Sequence, residues 1–134
     1  MRRHPALRGL SSEHHAGLVI ARRARKAARE GVRHRTVAWK EVKNRFRAEL
    51  EGHFRREECG LLPVLRTAGE VAVVQRTFSE HQTLRTLIVE DRRENLEPFA
   101  ELLAAHIRFE ETELFETAQR LLGPNVLAEL EQVL

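Results

Sequence analysis

Tyrosine is absent from the 134 residues, cysteine occurs once, and glycine and proline number only 7 and 4. Aromatic residues make up 5%, too few for a sheet-built core, because aromatic and β-branched side chains are what pack a pleated surface. A lone Cys59 can form no internal disulfide, which excludes a disulfide scaffold. No apolar run is long enough to span a membrane or form a signal-peptide core, so a cytoplasmic protein without membrane contact is expected. A phosphate-binding glycine loop, a dinucleotide fingerprint and a Ser or Cys nucleophile with its base are all missing, which argues against a large-substrate enzyme.

Present instead are hydrophobic residues at 42% and charged ones at 32%, the balance of a folded, helix-rich chain with a charged surface. The length suits one domain over residues 1–134. The net charge of +3 owes much to a basic stretch of Arg22, Arg23, Arg25, Lys26, Arg29, Arg33 and Arg35. Clustered positive charge can attract nucleic acid. No base-stacking aromatics interleave here, however, and arginine is a good helix former, so a solvated helix face is the expectation.

Apolar periodicity predicts four long helices and a short fifth. Ser11 and Ser12 can cap the first, which runs through Glu13 to about Glu30 with Leu10, His14, Gly17, Leu18, Ala21, Ala24 and Ala28 on one face; Gly31 stops it. The second begins around Thr36, carries Val37, Val42, Phe46, Leu50, His53, Phe54 and Glu57, and ends near Pro63. After a turn at Thr67 to Gly69, the third runs from about Glu70 to Arg92 with Val71, Val74, Phe78, His81, Leu84, Leu87 and Ile88 as its stripe. Asn95 can cap the fourth, with Pro98 near its first turn, and Gly123 and Pro124 end it near Leu122. Val126 to Leu134 covers one end. Short connections between long helices predict an all-α, up-and-down antiparallel four-helix bundle over about 11–122. The six phenylalanines are expected in the core, Cys59 is expected to be a buried inert thiol, and His4 and His34 are expected at the surface. Trp39 is uninformative.

An internal repeat carries the chemistry. Glu13-His14 precedes His53-Phe-Arg-Arg-Glu57-Glu58, and Glu80-His81 precedes His106-Ile-Arg-Phe-Glu110-Glu111. Residues at i and i+4 share a helix face, so His53 with Glu57 and His106 with Glu110 each present a nitrogen and a carboxylate in one direction. These positions fall on the apolar stripes, where an uncompensated carboxylate is costly. Cations are the simplest compensation, and a set of imidazoles and carboxylates without thiolate suits iron, with manganese or zinc less specific. For the first helix, Gly17, Leu18 and Ala21 continue the face of His14 whereas Arg22 continues that of His15, which favours His14 and leaves His15 as the alternative. Glu58 and Glu111 are turned by about 100° from their neighbours, so each is an outer or surface acid that could still reach an ion.

The order Leu-Ser-Ser-Glu-His-His, His-Phe-Arg-Arg-Glu-Glu followed by Leu-Leu-Pro, Ser-Glu-His-Gln-Thr-Leu, and His-Ile-Arg-Phe-Glu-Glu-Thr-Glu-Leu-Phe resembles the hemerythrin-like, or HHE cation-binding, domain. The likeness covers about residues 7–122. It implies a four-helix bundle around an oxo- or hydroxo-bridged di-iron centre, with His14, His53, His81 and His106 as terminal ligands and Glu57 and Glu110 as bridges. The oxygen-carrying members have a further histidine where this chain has Arg85. One iron is thereby deprived of a nitrogen, which leaves an open position, a water, or a substitute such as Glu58 or Glu111, and argues against reversible oxygen carriage. Arg85 could pair with an anion at the centre. The expected function is a non-haem di-iron protein, binding or sensing oxygen, peroxide, nitric oxide or iron itself. The alternative is a metal-stabilised structural or interaction module without redox chemistry. A metal-free bundle, the third reading, predicts that replacing His53 and His106 together by Leu stabilises the fold.

Overall fold

The computed structural model describes residues 2–134, and no strand occurs among the described residues. Five helices follow one another. α1 is Pro5–Ala28, α2 runs unbroken over 32–67, and α3 is Val71–Glu90. After a 3₁₀ turn at Arg93–Asn95, α4 runs over 96–121, and α5 is Pro124–Val133.

α1 begins well before the Ser11–Ser12 pair expected to cap it. His4 is the cap: its Nδ1 accepts the Ala6 N–H at 3.0 Å, and Pro5 follows with its φ already suited to a first turn. His4 is thus half-buried, not the surface residue expected. The early start adds Ala6 and Leu7 to the buried stripe. Gly31 is the N-cap residue of α2, which starts at Val32 and not near Thr36. In its first turns Val32 and Val37 stay 51% and 63% exposed, contrary to the stripe drawn through Val37. Val71, in the opening turn of α3, is likewise exposed.

Pro63 does not end α2. The helix carries π-turns at Phe46–Leu50 and Glu57–Leu61, and Pro63 lies in the first turn of the segment Leu62–Thr67 that follows. There the ladder is already changing from i→i−5 to i→i−4 bonding, so a missing N–H costs less than in a regular helix interior. A third π-turn occupies Glu110–Leu114 in α4. Gly69, at φ +92, reverses the chain after α2. Asp91 ends α3 in the left-handed region at φ 54; its carboxylate accepts from Trp39 Nε1 at 2.9 Å and pairs with Lys43 Nζ at 2.8 Å.

α1 packs chiefly on α4 and on the first half of α2, α3 packs on α4 and on the last turns of α2, and α5 lies against α1. This is compatible with the up-and-down order expected from the short connections. Two apolar clusters form the core. One gathers Trp39, Phe46, Phe54, Leu84, Phe99 and Leu103; the other gathers Leu7, Leu61, Leu65, Leu114, Phe115 and Leu127. Phe54, Phe99 and Phe115 are fully buried, each contributing about 2–3 kcal/mol of transfer free energy. Two expectations fail here: Phe78 is 41% exposed, and Cys59 is exposed. Along all four long helices the chain passes from one cluster to the other through a short polar stretch.

Candidate metal centre

That stretch contains His14, His53, Glu57, His81, His106 and Glu110, all buried. His15 is exposed, so the structure puts His14, and not its neighbour, inside. Two groups of donor atoms can each hold one ion: His14, His53, Glu57 and Glu110 in the first, and Glu57, His81, His106 and Glu110 in the second, with all donors of a group within 4.8 Å of one another. Both carboxylates belong to both groups. Glu57 lies 3.2 Å from His53 Nε2 through Oε2 and 3.1 Å from His81 Nε2 through Oε1. Glu110 lies 2.7 Å from His14 Nε2 through Oε1 and 2.9 Å from His106 Nε2 through Oε2. Each acid therefore offers one oxygen to each side, the arrangement a bridging carboxylate needs.

The donor set fits a pair of cations. Two ligands on one ion, with bonds of about 2.0–2.2 Å, stand about 2.8–3.6 Å apart at octahedral or tetrahedral angles, and the spacings above run from 2.7 to 3.2 Å. His53 Nε2, His81 Nε2, His106 Nε2, both Glu57 oxygens and Glu110 Oε2 are buried without a properly aligned hydrogen bond. Leaving so many polar atoms unsatisfied would cost about 1–3 kcal/mol apiece, and a cation among them satisfies them together.

Electrostatics point the same way. Burial works against charge on each imidazole, but the neighbouring carboxylates prevail. Glu57 and Glu110 raise His53 to about 11, Glu110, Glu57 and Glu58 raise His81 to about 10, and Glu110 with Glu80 raises His106 to about 9. His14 is also raised, by Glu110 and Glu111. Burial pushes the Glu110 carboxyl up, yet His106, His14 and His53 hold it well below the ordinary range. The pocket demands positive charge, which protons supply only by occupying the nitrogens a metal would use.

Behind the six donors runs a closed circuit of hydrogen bonds. Glu13 of α1 bonds His53 Nδ1 of α2 at 2.7 Å, and Glu58 of α2 bonds His81 Nδ1 of α3 at 2.7 Å. Glu80 of α3 bonds His106 Nδ1 of α4 at 2.7 Å, and Glu111 of α4 bonds His14 Nδ1 of α1 at 2.6 Å. Every helix supplies one imidazole and the carboxylate that holds the imidazole of the next. Each carboxylate keeps Nδ1 protonated and turns the Nε2 lone pair inward. Each is met in turn by an arginine: Arg56 on Glu13 at 2.8 Å, Arg85 on Glu58 at 2.7 Å, Arg76 on Glu80 at 3.1 Å and Arg3 on Glu111 at 3.0 Å.

Glu58 and Glu111 thus sit outside the donor groups as holders of His81 and His14. Glu13 and Glu80 serve the same purpose, which sequence reasoning missed. The signal was the Glu-His dipeptide itself: an acid one residue before an inward histidine projects about 100° round the helix, toward the neighbouring helix. Arg85 does not face an anion at the centre. Its guanidinium donates to Glu51 and Glu58 and lies over the Phe54 ring, which stacks on His81 at 4.0 Å.

A cavity of about 280 Å³ adjoins the first donor group, lined by His14, Gly17, Leu50, His53, Leu103 and Ile107 among others. None of the described helices is long and apolar enough to cross a membrane. No curated protein and no solved structure matches the chain. A family model, the hemerythrin HHE cation binding domain, matches residues 6–118. With that span covering most of the 134 residues and two buried His/Glu donor groups inside it, the chain belongs to the hemerythrin HHE cation-binding family.

Proposed function

We propose that this chain is a single up-and-down four-helix-bundle domain holding two iron ions, and that it binds or senses a small molecule such as oxygen, peroxide or nitric oxide. The observation that carries this reading is the pair of carboxylates, Glu57 and Glu110, each reaching both histidine pairs. Bound iron would supply one-electron redox chemistry and an exchangeable coordination position. His14 and His53 would hold one ion, His81 and His106 the other, with Glu57 and Glu110 shared. Glu13, Glu58, Glu80 and Glu111 orient the imidazoles and fix their tautomer. The apolar lining beside His14 and His53, from Leu50, Leu103 and Ile107, favours a small ligand and limits bulk water.

Metal analysis of protein purified without added metal, combined with an ultraviolet-visible spectrum of the oxidised form, tests this. About two irons per chain and a near-ultraviolet charge-transfer band are expected, followed by spectral change when the ferrous form meets oxygen, peroxide or nitric oxide. A different metal, or fewer than two ions per chain, overturns the di-iron reading. The carboxylate–imidazole circuit, which ties four helices to one another, favours a second reading, a metal-stabilised interaction module. Silent redox behaviour with a large fall in thermal stability on chelation would support that alternative.

A further inference from the structure

The cavity has an inner wall and a rim made of different residues. Leu103, His106, Ile107 and Glu110 of α4 form the wall. The rim lies between α1 and α2, where the facing residues are small: Ala16 and Gly17 on one side, Ala48 and Gly52 on the other. A side chain at Gly17 would run into Ile107 Cδ1 at 2.8 Å, whereas one at Gly52 would meet nothing within 4 Å. Across this rim Arg56 Nη2 donates to both Glu13 oxygens at 2.8 Å. Arg56 and Glu13 are 35% and 42% exposed, and Glu13 also accepts from His53 Nδ1.

We propose that this rim is the port through which small ligands and metal ions reach the centre, with the Glu13–Arg56 pair as its bar and Arg56 as the residue that sets its charge preference. The inference rests on the metal-binding reading above. An exposed ion pair of this kind contributes about 0–1 kcal/mol, so parting it is easy. Arg56 can swing outward while Glu13 remains on His53, so passage does not require the imidazole to move. With Arg56 and Glu13 both present the rim is balanced, since the nearby Glu49 is paired with Arg45 at 2.8 Å. Without Arg56 the rim carries a net negative charge, which repels anions and attracts cations.

Three probes of different charge test this: azide on the oxidised protein, nitric oxide on the ferrous protein, and Co²⁺ uptake by the metal-free chain. Gly52→Leu places a side chain in open space at the rim. It is expected to slow all three associations on the order of tenfold while metal content and the ligand-free spectrum stay those of the wild type. Arg56→Gln is expected to slow azide and speed Co²⁺, each about threefold at low salt and converging on the wild type at high salt, with nitric oxide unaffected. Should Gly52→Leu fail to hold metal, Gly52→Ser and Ala48→Val supply a graded series that must slow association in order of bulk. Gln82→Leu, on the face beside Arg85, must leave the rates alone. Unchanged rates in the loaded Gly52 variants, or an Arg56→Gln effect of one sign on all three probes, overturn the port. Wild-type protein that takes up Co²⁺ but no iron would sink the iron reading and leave the port open to the Co²⁺ arm.

Discussion

The two donor groups share both carboxylates yet differ in their surroundings. His81 is stacked on Phe54 at 4.0 Å, Arg85 lies 5.7 Å from the centre of that ring, and the Glu58 that holds His81 is itself gripped by Arg85. His106 is held by Glu80, which Arg76 engages while lying 4.0 Å over Phe109. On the other side His14 is backed by Phe115, but His53 depends on a half-exposed Glu13, and the cavity borders both imidazoles. On sequence grounds Arg85 leaves one iron short of a nitrogen, with an open position, a water, or a substitute such as Glu58 or Glu111 expected in its place. The cavity lies beside His14 and His53, with His106 but not His81 also on its lining. Arg85 supports the Glu58 that holds His81, and it lines no part of that cavity.

The largest effect on this comparison comes from residues both groups share. Glu110→Gln or Glu57→Gln removes the charge that each side uses, so metal content is expected to fall from about two ions toward none, with loss of any charge-transfer band. Retention of one ion in either variant would mean that the carboxylate serves a single side. An intermediate effect separates the sides. Stripping by a chelator is expected to be biphasic, with the His14 and His53 position emptying first. Glu13→Gln should hasten only the first phase, because loss of an outer carboxylate costs about 10–100-fold in affinity. Glu80→Gln should act on the second. One phase, or both variants acting on the same phase, would make the sides equivalent.

How much of this was legible in the sequence depends on whether the helical period held. His53 with Glu57 and His106 with Glu110 were readable from i,i+4 spacing alone, and the stripe of Gly17, Leu18 and Ala21 correctly placed His14 inside. The three π-turns were not read, although a trace of them was present. Val42, Phe46, Leu50 and Phe54 recur every four residues, as do His106, Glu110, Leu114 and Ala118. In a regular α-helix four residues overshoot a turn by about 40°, so such a run would spiral off its face. A wider π-turn restores the register, and the buried state of Leu50, Leu61 and Leu114 shows the result. Of the outer glutamates, Glu58 and Glu111 were legible as outer acids, and Glu13 and Glu80 left a trace in the Glu-His dipeptides. Which histidine each one holds was not legible, because those bonds join different helices and which helix lies beside which is not a local property.

A smaller effect concerns protons on both sides. In the metal-free chain the raised values of His53, His81 and His106, about 11, 10 and 9, mean that folding favours their charged forms. Because folded values exceed the unfolded one of about 6.5, this stabilisation is complete below that pH. It declines as pH rises and is gone above about 11. Thermal unfolding of the metal-free chain is therefore expected to shift to lower temperature between about pH 7 and 11, while the metal-loaded chain, whose imidazoles carry no ring proton on Nε2, should not share the trend. A parallel decline in both forms would show that these histidines do not control it.

The smallest expected effect tests whether inward placement matters or merely the presence of a histidine pair. His14 and His15 are adjacent and chemically identical, but His14 Nε2 lies 2.7 Å from Glu110 and its ring stacks on Phe115, whereas His15 is exposed. His15→Ala should leave metal content, spectrum and unfolding temperature within error of the wild type, since surface substitutions away from special features usually change stability by less than about 0.5 kcal/mol. His14→Ala should empty the port side and leave the His81 and His106 ion in place. If the two variants lose metal equally, helix α1 can rotate to present either imidazole, and the distinction between a packed side and an open side would then extend to the helix itself.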